Sequence, residues 1–244
     1  MADLNPRQTQ ILKAIIEEYI STAEPVGSET LDKKYNLGVS PATIRNEMVR
    51  LTSMGYLKQP HTSAGRSPTP IALRYFLDHI MQQTRLSVAE EVAVKERIWD
   101  YRHEVDRLLR EATRALAART KTLAVTATDD GTVYYAGAAH ILDMAEFYDI
   151  DLTKTILSLL DEFEYWQELL EKTSKGAEGC HVLIGQELGQ PSFAEFGGVF
   201  THFHLPQNHV ATIGVVGPAR LNYPQVVPFV DYLGRLLDEM VGKW

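Results

Sequence analysis

The sequence predicts an α+β protein, and three observations carry that expectation. Residues 1–85 hold only short helical patterns with proline-marked starts, residues 88–120 keep a 3.6-residue apolar period, and the remainder mixes β-branched runs with helical stretches. Helices set against a mostly antiparallel sheet satisfy that last pattern. A chain of 244 residues is long enough for a full core and divides most naturally into two domains, or one with attachments.

The first helix opens at Asn5-Pro6, a capping residue followed by proline at the first helical position. It runs to about Ser21 with Ile11, Leu12, Ile15, Ile16, Tyr19 and Ile20 on one face, and "AEPVG" stops it. Ser28 caps a short second helix carrying Leu31 and Tyr35, and a turn follows at Asn36-Leu37-Gly38, where Gly38 tolerates positive φ. Ser40-Pro41 repeats the cap-plus-proline device and starts a third helix that ends at Met54-Gly55. A short strand "YLKQ", a loop "PHTSAGRSP" and a helix entered through Thr69-Pro70, with Leu73, Phe76, Leu77 and Ile80 inward, complete the segment.

Three short helices, the last two joined by a tight turn, then a strand and a basic loop follow the order of a winged helix-turn-helix. In the third helix Ile44, Met48 and Leu51 form a narrow buried stripe, and the opposite face is neither a Glu/Lys mixture nor plainly apolar. That face suits a DNA major groove: Arg45 matches guanine O6 and N7, Asn46 matches adenine, and Ala42 and Val49 match thymine methyls. Ser40, Thr43 and Arg50 lie at the helix start or flank, where backbone N–H groups and the helix dipole favour phosphate. The loop adds His61, Thr62, Ser63 and Arg66, made compact by Gly65, for phosphate or minor-groove contact.

Whole-chain charge argues against such a partner only at first sight. The net charge is −8, but residues 1–85 hold 10 Lys+Arg against 8 Asp+Glu, whereas residues 86–244 hold 14 against 24. Phosphate contact needs only a local basic surface. The sequence has no run of about 18 apolar residues and no basic, apolar leader, so no membrane partner and a cytoplasmic location are expected. The single Cys180 excludes an internal disulfide and a cysteine-clustered zinc site, and reads as a small buried side chain.

The run "EPVGSETLDKKYNLGVSPATIRNEMVRLTSMGYLKQPHTSAGRSPT" resembles the DNA-binding domain of the HrcA family of heat-inducible transcription repressors, through "PATIRNEM", "GYL" and "QPHTSAGR". The likeness resumes at "VYYAGAAHILDMAEF" and more clearly at "IGVVGPARLNYPQVVPFVDYL". It implies a homodimeric repressor binding double-stranded DNA at an inverted-repeat operator of the CIRCE type ahead of chaperone genes, with activity dependent on the GroE chaperonin. It also implies a GAF-like C-terminal domain. Ser67 stands where the family usually has isoleucine, and the chain is shorter than a typical member. The shortening falls between the long helix and "VYYAG", in the region where the family carries an inserted dimerisation domain.

The expected organisation is residues 1–85 as the winged helix-turn-helix domain, 86–120 as a long linker and dimerisation helix, and 121–244 as an α+β regulatory and dimerisation domain with an antiparallel sheet. A capping box of Ser87 and Glu90 opens the long helix, whose apolar edge includes Val88, Val92, Ile98, Trp99, Val105, Leu108, Leu109, Ala112 and Leu116. Such an edge fits an intrachain contact or a second copy equally. "TLAVTAT" and "VYYAGA" around Asp129-Asp130-Gly131 read as a hairpin, 140–173 as helical, "HVLIG", "GVFTHFHL" and "HVATIGVVG" as strands, and Pro224 to Met240 as a final helix.

His202 and His204 share a strand face and His209 follows closely, but no carboxylate or cysteine sits at ligand spacing, so no metal is expected. No nucleophile elbow, phosphate loop or acid/base pair is visible, so no enzyme and no cofactor are expected. The alternative is a winged-helix regulator whose C-terminal domain holds a small metabolite.

Overall fold

The computed structural model describes residues 4–82, 84–174 and 179–241. The chain forms two compact units, residues 1–82 and 83–244.

In the first unit α1 (Pro6–Thr22), α2 (Ser28–Lys34) and α3 (Pro41–Ser53) precede a two-stranded antiparallel ribbon, β1 (Leu57–Lys58) and β2 (Ser67–Pro68), and α4 (Pro70–Tyr75). Three helix starts obey their capping residues: Asn5 forms a capping box with Gln8, the Ser40 hydroxyl accepts from the Thr43 N–H, and that of Thr69 accepts from the Ala72 N–H; α2 instead begins at Ser28 itself, with Gly27 at the cap and no side-chain cap bond. Gly38 has φ +66°, as the turn between α2 and α3 requires. Ile11, Leu12, Ile15, Ile16, Leu31, Ile44, Leu51, Tyr56 and Phe76 pack the core. Residues 76–80 continue α4 as one π turn, with Leu77 and Ile80 only partly buried.

The expected strand "YLKQ" shortens to Leu57–Lys58, and its partner is Ser67–Pro68, with Leu57 opposite Pro68. Proline at the ribbon's edge cannot extend the ladder. A bridge of two 2.9 Å backbone hydrogen bonds between Val26 and Arg66 ties the loop's base to the connection after α1.

The second unit is built on a five-stranded antiparallel sheet of order β4-β3-β7-β6-β5, the GAF-like α+β arrangement. Its strands are β3 (Leu123–Thr128), β4 (Val133–Ala136), β5 (His181–Ile184), β6 (Phe196–His204) and β7 (Val210–Pro218). Its helices are α5 (Val88–Trp99), α6 (Val105–Thr120), α7 (Ala138–Ile141), α8 (Ile150–Ser158), α9 (Phe163–Ser174) and α10 (Tyr223–Val241). One face packs α6 and α10; there the Thr113 and Thr126 hydroxyls meet at 2.7 Å. The other face packs α9 through Leu123, Val125, Phe196, Phe200 and Val216 against Trp166 and Leu169. Strand alternation divides the two sets.

The helix expected to run unbroken over 88–120 is two helices. No proline or glycine interrupts it; the chain turns at 100–104 so that Val94 and Ile98 of α5, and Leu108, Leu109 and Ala112 of α6, all become buried. A single solvated helix of that length leaves one of those sets wet. The expected helical stretch 140–173 is likewise divided, into α7, α8 and α9 with 3-10 turns at Ala145–Tyr148 and Leu159–Asp161.

α10 tolerates Pro228 within it. Proline removes the N–H that the Pro224 carbonyl needs, and the Thr84 N–H supplies a substitute at 3.3 Å.

Candidate nucleic-acid interface

α3 is held by three buried apolar residues, Ile44, Met48 and Leu51, each stabilising by about 1.5–3 kcal/mol. A fourth inward side chain is charged. The Glu47 side chain is 5% exposed, accepts from the Gln8 side-chain amide of α1 at 3.1 Å and from Arg50 Nη1 at 3.2 Å, and has Arg7 Nη1 at 3.8 Å. A buried carboxylate is tolerated only with such partners. The rotation of α3 is therefore set by polar as well as apolar contacts.

A second buried carboxylate, Glu18, does the same for α2. It accepts from Lys34 Nζ at 2.5 Å and from the Tyr35 hydroxyl at 3.3 Å. Burial and the Glu18 charge push the Tyr35 phenol up to about 12, so it remains a donor.

With that side anchored, Ala42, Arg45, Asn46, Val49 and Arg50 are exposed on the outer face of α3. Among the described residues none forms an ion pair with Arg45. Thr43 is half-buried, and its hydroxyl lies 3.0 Å from that of Ser40, so the two engage each other at the helix start. Arg50 gives one guanidinium N–H to Glu47 and keeps the rest of its donors outward.

The loop between β1 and β2 is shaped from within. Gln59 Nε2 donates to the carbonyls of Thr62 at 2.9 Å and Ala64 at 3.0 Å, which leaves His61, Thr62 and Ser63 exposed at the tip. Gly65 crosses the chain at Val26 so closely that a Cβ there would lie 2.4 Å from the Val26 carbonyl carbon and oxygen. Arg66 is half-buried, and its Nε donates to the Thr52 hydroxyl of α3 at 3.1 Å. Between α3 and this loop runs an open polar groove of about 370 Å³, with Ser28, Thr30, Arg45, Gln59, Thr62 and Arg66 on its walls.

The sequence reading missed Glu47 and Glu18. Glu47 lies three residues after Ile44, on the inward side of α3, and a charge on an apolar stripe is the signal that marks it. Its partner Gln8 is 39 residues away and has no local signature.

In the second unit the three histidines diverge. His204 Nδ1 lies 3.2 Å from Asp238, His209 Nδ1 lies 2.9 Å from Asp129, and the His202 ring stands 6.0 Å from that of His181. No group of three potential metal ligands occurs among the described residues. Cys180 is half-buried with Sγ 3.5 Å from the Val227 carbonyl, and burial pushes its thiol up, away from the reactive thiolate. A cleft of about 380 Å³ lies beside edge strand β4, lined by Arg110, Arg114 and residues 132–135. Both arginines are already paired, with Asp106 and Glu111. No helix among the described residues is long and apolar enough to cross a membrane.

Helix, turn, exposed helix and glycine-shaped wing define a winged helix-turn-helix protein of the DNA-binding class, with an α+β domain attached. Residues 3–80 match the family model of the winged helix-turn-helix transcription repressor, HrcA DNA-binding, and residues 57–227 match that of the HrcA protein C terminal domain. The chain belongs to the HrcA family of heat-inducible transcription repressors, which is not a family of enzymes.

Among its relatives, the heat-inducible transcription repressor HrcA of Symbiobacterium thermophilum is 28% identical, with 97% of this chain and 98% of the relative covered. That of Carboxydothermus hydrogenoformans is also 28% identical, with 98% and 99% covered. The first alignment runs over 337 positions against the 244 residues of this chain, so the relative carries substantial sequence with no counterpart here. A crystal structure described as a hypothetical protein shares the fold, with TM-score 0.77, 17% identity and 99% of both chains covered.

Proposed function

We propose that this protein represses chaperone genes by binding, as a homodimer in the cytoplasm, an inverted-repeat operator of the CIRCE type. α3 enters the major groove, where Arg45 reads guanine, Asn46 reads adenine, and Ala42 and Val49 meet thymine methyls. Ser40, Thr43 and Arg50 hold phosphates at the start and flank of α3, and His61, Thr62, Ser63 and Arg66 follow the backbone or minor groove from the wing. The observation that carries this reading is the exposed Arg45, without an ion-pair partner among the described residues, beside Asn46 on a helix whose opposite side is anchored by Ile44, Glu47, Met48 and Leu51.

Residues 1–85 are the DNA-binding part, 86–120 the linking and pairing part, and 121–244 the regulatory part in this reading. Bound dimer excludes polymerase; heat, or a shortage of the GroE chaperonin, depletes the folded dimer and frees the promoter. A footprint on the DNA upstream of the protein's own gene, before and after heat cycling with and without chaperonin, tests both statements. Protection of a palindrome that chaperonin restores is expected. Protection that recovers identically without chaperonin refutes the coupling, and no protected palindrome refutes the repressor.

A second reading places a small metabolite in the cleft beside β4, regulating the same DNA-binding unit. Thermal stabilisation by a metabolite, with no effect of chaperonin, is its signature.

A further inference from the structure

The inner side of α5 is fully committed. Val94 and Ile98 are buried, Arg119 of α6 pairs with Glu90, and the Tyr232 hydroxyl of α10 donates to the Glu91 carbonyl at 3.1 Å. Its outer side is apolar and open: Val88 is 76% exposed, Val92 47% and Trp99 39%. At roughly 100° per residue, Val88, Val92, Lys95 and Trp99 fall within about 60° of one another, a single stripe along the helix. Lys95 Nζ lies 5.4 Å from the centre of the Trp99 ring and the Arg102 guanidinium 4.7 Å, so two cations accompany the exposed indole.

We propose that this stripe is where two copies of the chain pair, α5 against α5, antiparallel about a twofold axis passing between Lys95 and Glu96. The proposal rests on the dimeric reading above and names the surface that makes the dimer.

An isologous contact requires a pattern that complements itself when read from both ends. About the midpoint of residues 95 and 96, Val92 falls opposite the partner's Trp99 and Trp99 opposite the partner's Val92. Lys95 falls opposite the partner's Glu96, and Glu96 opposite the partner's Lys95. The Val92–Trp99 and Lys95–Glu96 contacts thus each occur twice, while Val88 lies opposite the partner's His103, past the end of its α5. A parallel arrangement sets Lys95 against the partner's Lys95 and loses this match.

α5 has only 12 residues, so the interface is small and pairing through it is readily reversed on dilution. Two linked half-sites on one DNA raise the effective concentration of the second copy and hold the pair together. Occupancy of a palindrome therefore falls more steeply with protein concentration than occupancy of a single half-site.

Sedimentation velocity of the full chain over a range of concentrations tests this, with half-site DNA binding measured in parallel. The wild type is expected to show a concentration-dependent dimer, and Val92→Glu only monomer. Lys95→Glu and Glu96→Lys are each expected to weaken dimerisation at least tenfold, and the double exchange to restore it. A wild type that stays monomeric, a dimer indifferent to Val92→Glu, or a double exchange no better than the single ones overturns the proposal. All four variants keep α3 intact, so a failure to bind half-site DNA in the wild type indicts the DNA-binding reading and not this surface.

Discussion

The side-chain amide of Gln8, on the first helix, donates to the buried carboxylate of Glu47 on the third at 3.1 Å. This bond joins elements 39 residues apart and fixes the side of α3 opposite to Arg45 and Asn46. Gln8 takes no part in the exposed face, so its effects on DNA binding act through helix position. Gln8→Ala should lower the unfolding free energy of the first unit by about 1–3 kcal/mol, because it leaves Glu47 without one of its donors. Gln8→Glu keeps an oxygen for the cap at Asn5 yet sets like charges together, so it should be at least as damaging. Denaturant unfolding and amide exchange along α3 measure both; unchanged α3 protection in either variant would remove Glu47 from the positioning role.

Gly65→Ala should be costly although its backbone is ordinary. The new Cβ meets the Val26 carbonyl at 2.4 Å, which forces the wing away from the connection after α1. A loss of about 1–3 kcal/mol is expected, as for other overpacked sites. Faster exchange of the Arg66 N–H, which now bonds the Val26 carbonyl at 2.9 Å, would report the separation directly.

In the second unit Arg220 grips Glu146 through two bonds, Nε to Oε1 at 2.5 Å and Nη2 to Oε2 at 2.9 Å, and both side chains are largely buried. Removing one partner leaves the other charge uncompensated, so Arg220→Ala should destabilise this unit by about 3 kcal/mol. Arg220→Lys cannot reproduce the paired geometry and should recover only part of it. Calorimetric melting of the two variants distinguishes these outcomes.

The start of α5 should be acid-sensitive. The Ser87 backbone N–H, its hydroxyl and the Arg119 guanidinium hold Glu90 down to about 2, from an ordinary 4.5. A depressed carboxylate stabilises the fold above its unfolded-state value, and that contribution is lost as pH falls from about 4.5 towards 2. Amide protection in the first turn of α5 should decline over that window in the wild type. In Glu90→Gln it should already be reduced at pH 7 and show no such decline.

What the sequence disclosed and what it concealed divide by distance along the chain. Caps at Asn5, Ser40, Thr69 and Ser87 were legible because cap, proline and capping-box partner lie within four residues. The outer face of α3 was legible because helical period alone separates Arg45 and Asn46 from Ile44 and Met48. The break at 100–104 was not, since only the packing of Ile98 and Leu108 in the folded unit demands it. Nor were the sheet order, the link from Glu146 to Arg220, or the use of Arg66 Nε to hold Thr52, each of which joins residues with no local signal. His202 and His204 share a strand in the sequence pattern and His209 follows a short connection later, yet each goes to a different neighbour.

Competition binding of Arg45→Ala and Arg66→Ala to the footprinted palindrome and to random duplex, over a range of salt, tests the base-reading role of α3 most directly. Arg45→Ala should cost about 1–3 kcal/mol on the palindrome, relax preference at one base pair and leave random DNA unaffected, whereas Arg66→Ala should weaken both and flatten the salt dependence. Equal loss on palindrome and random duplex for Arg45→Ala would contradict the assignment.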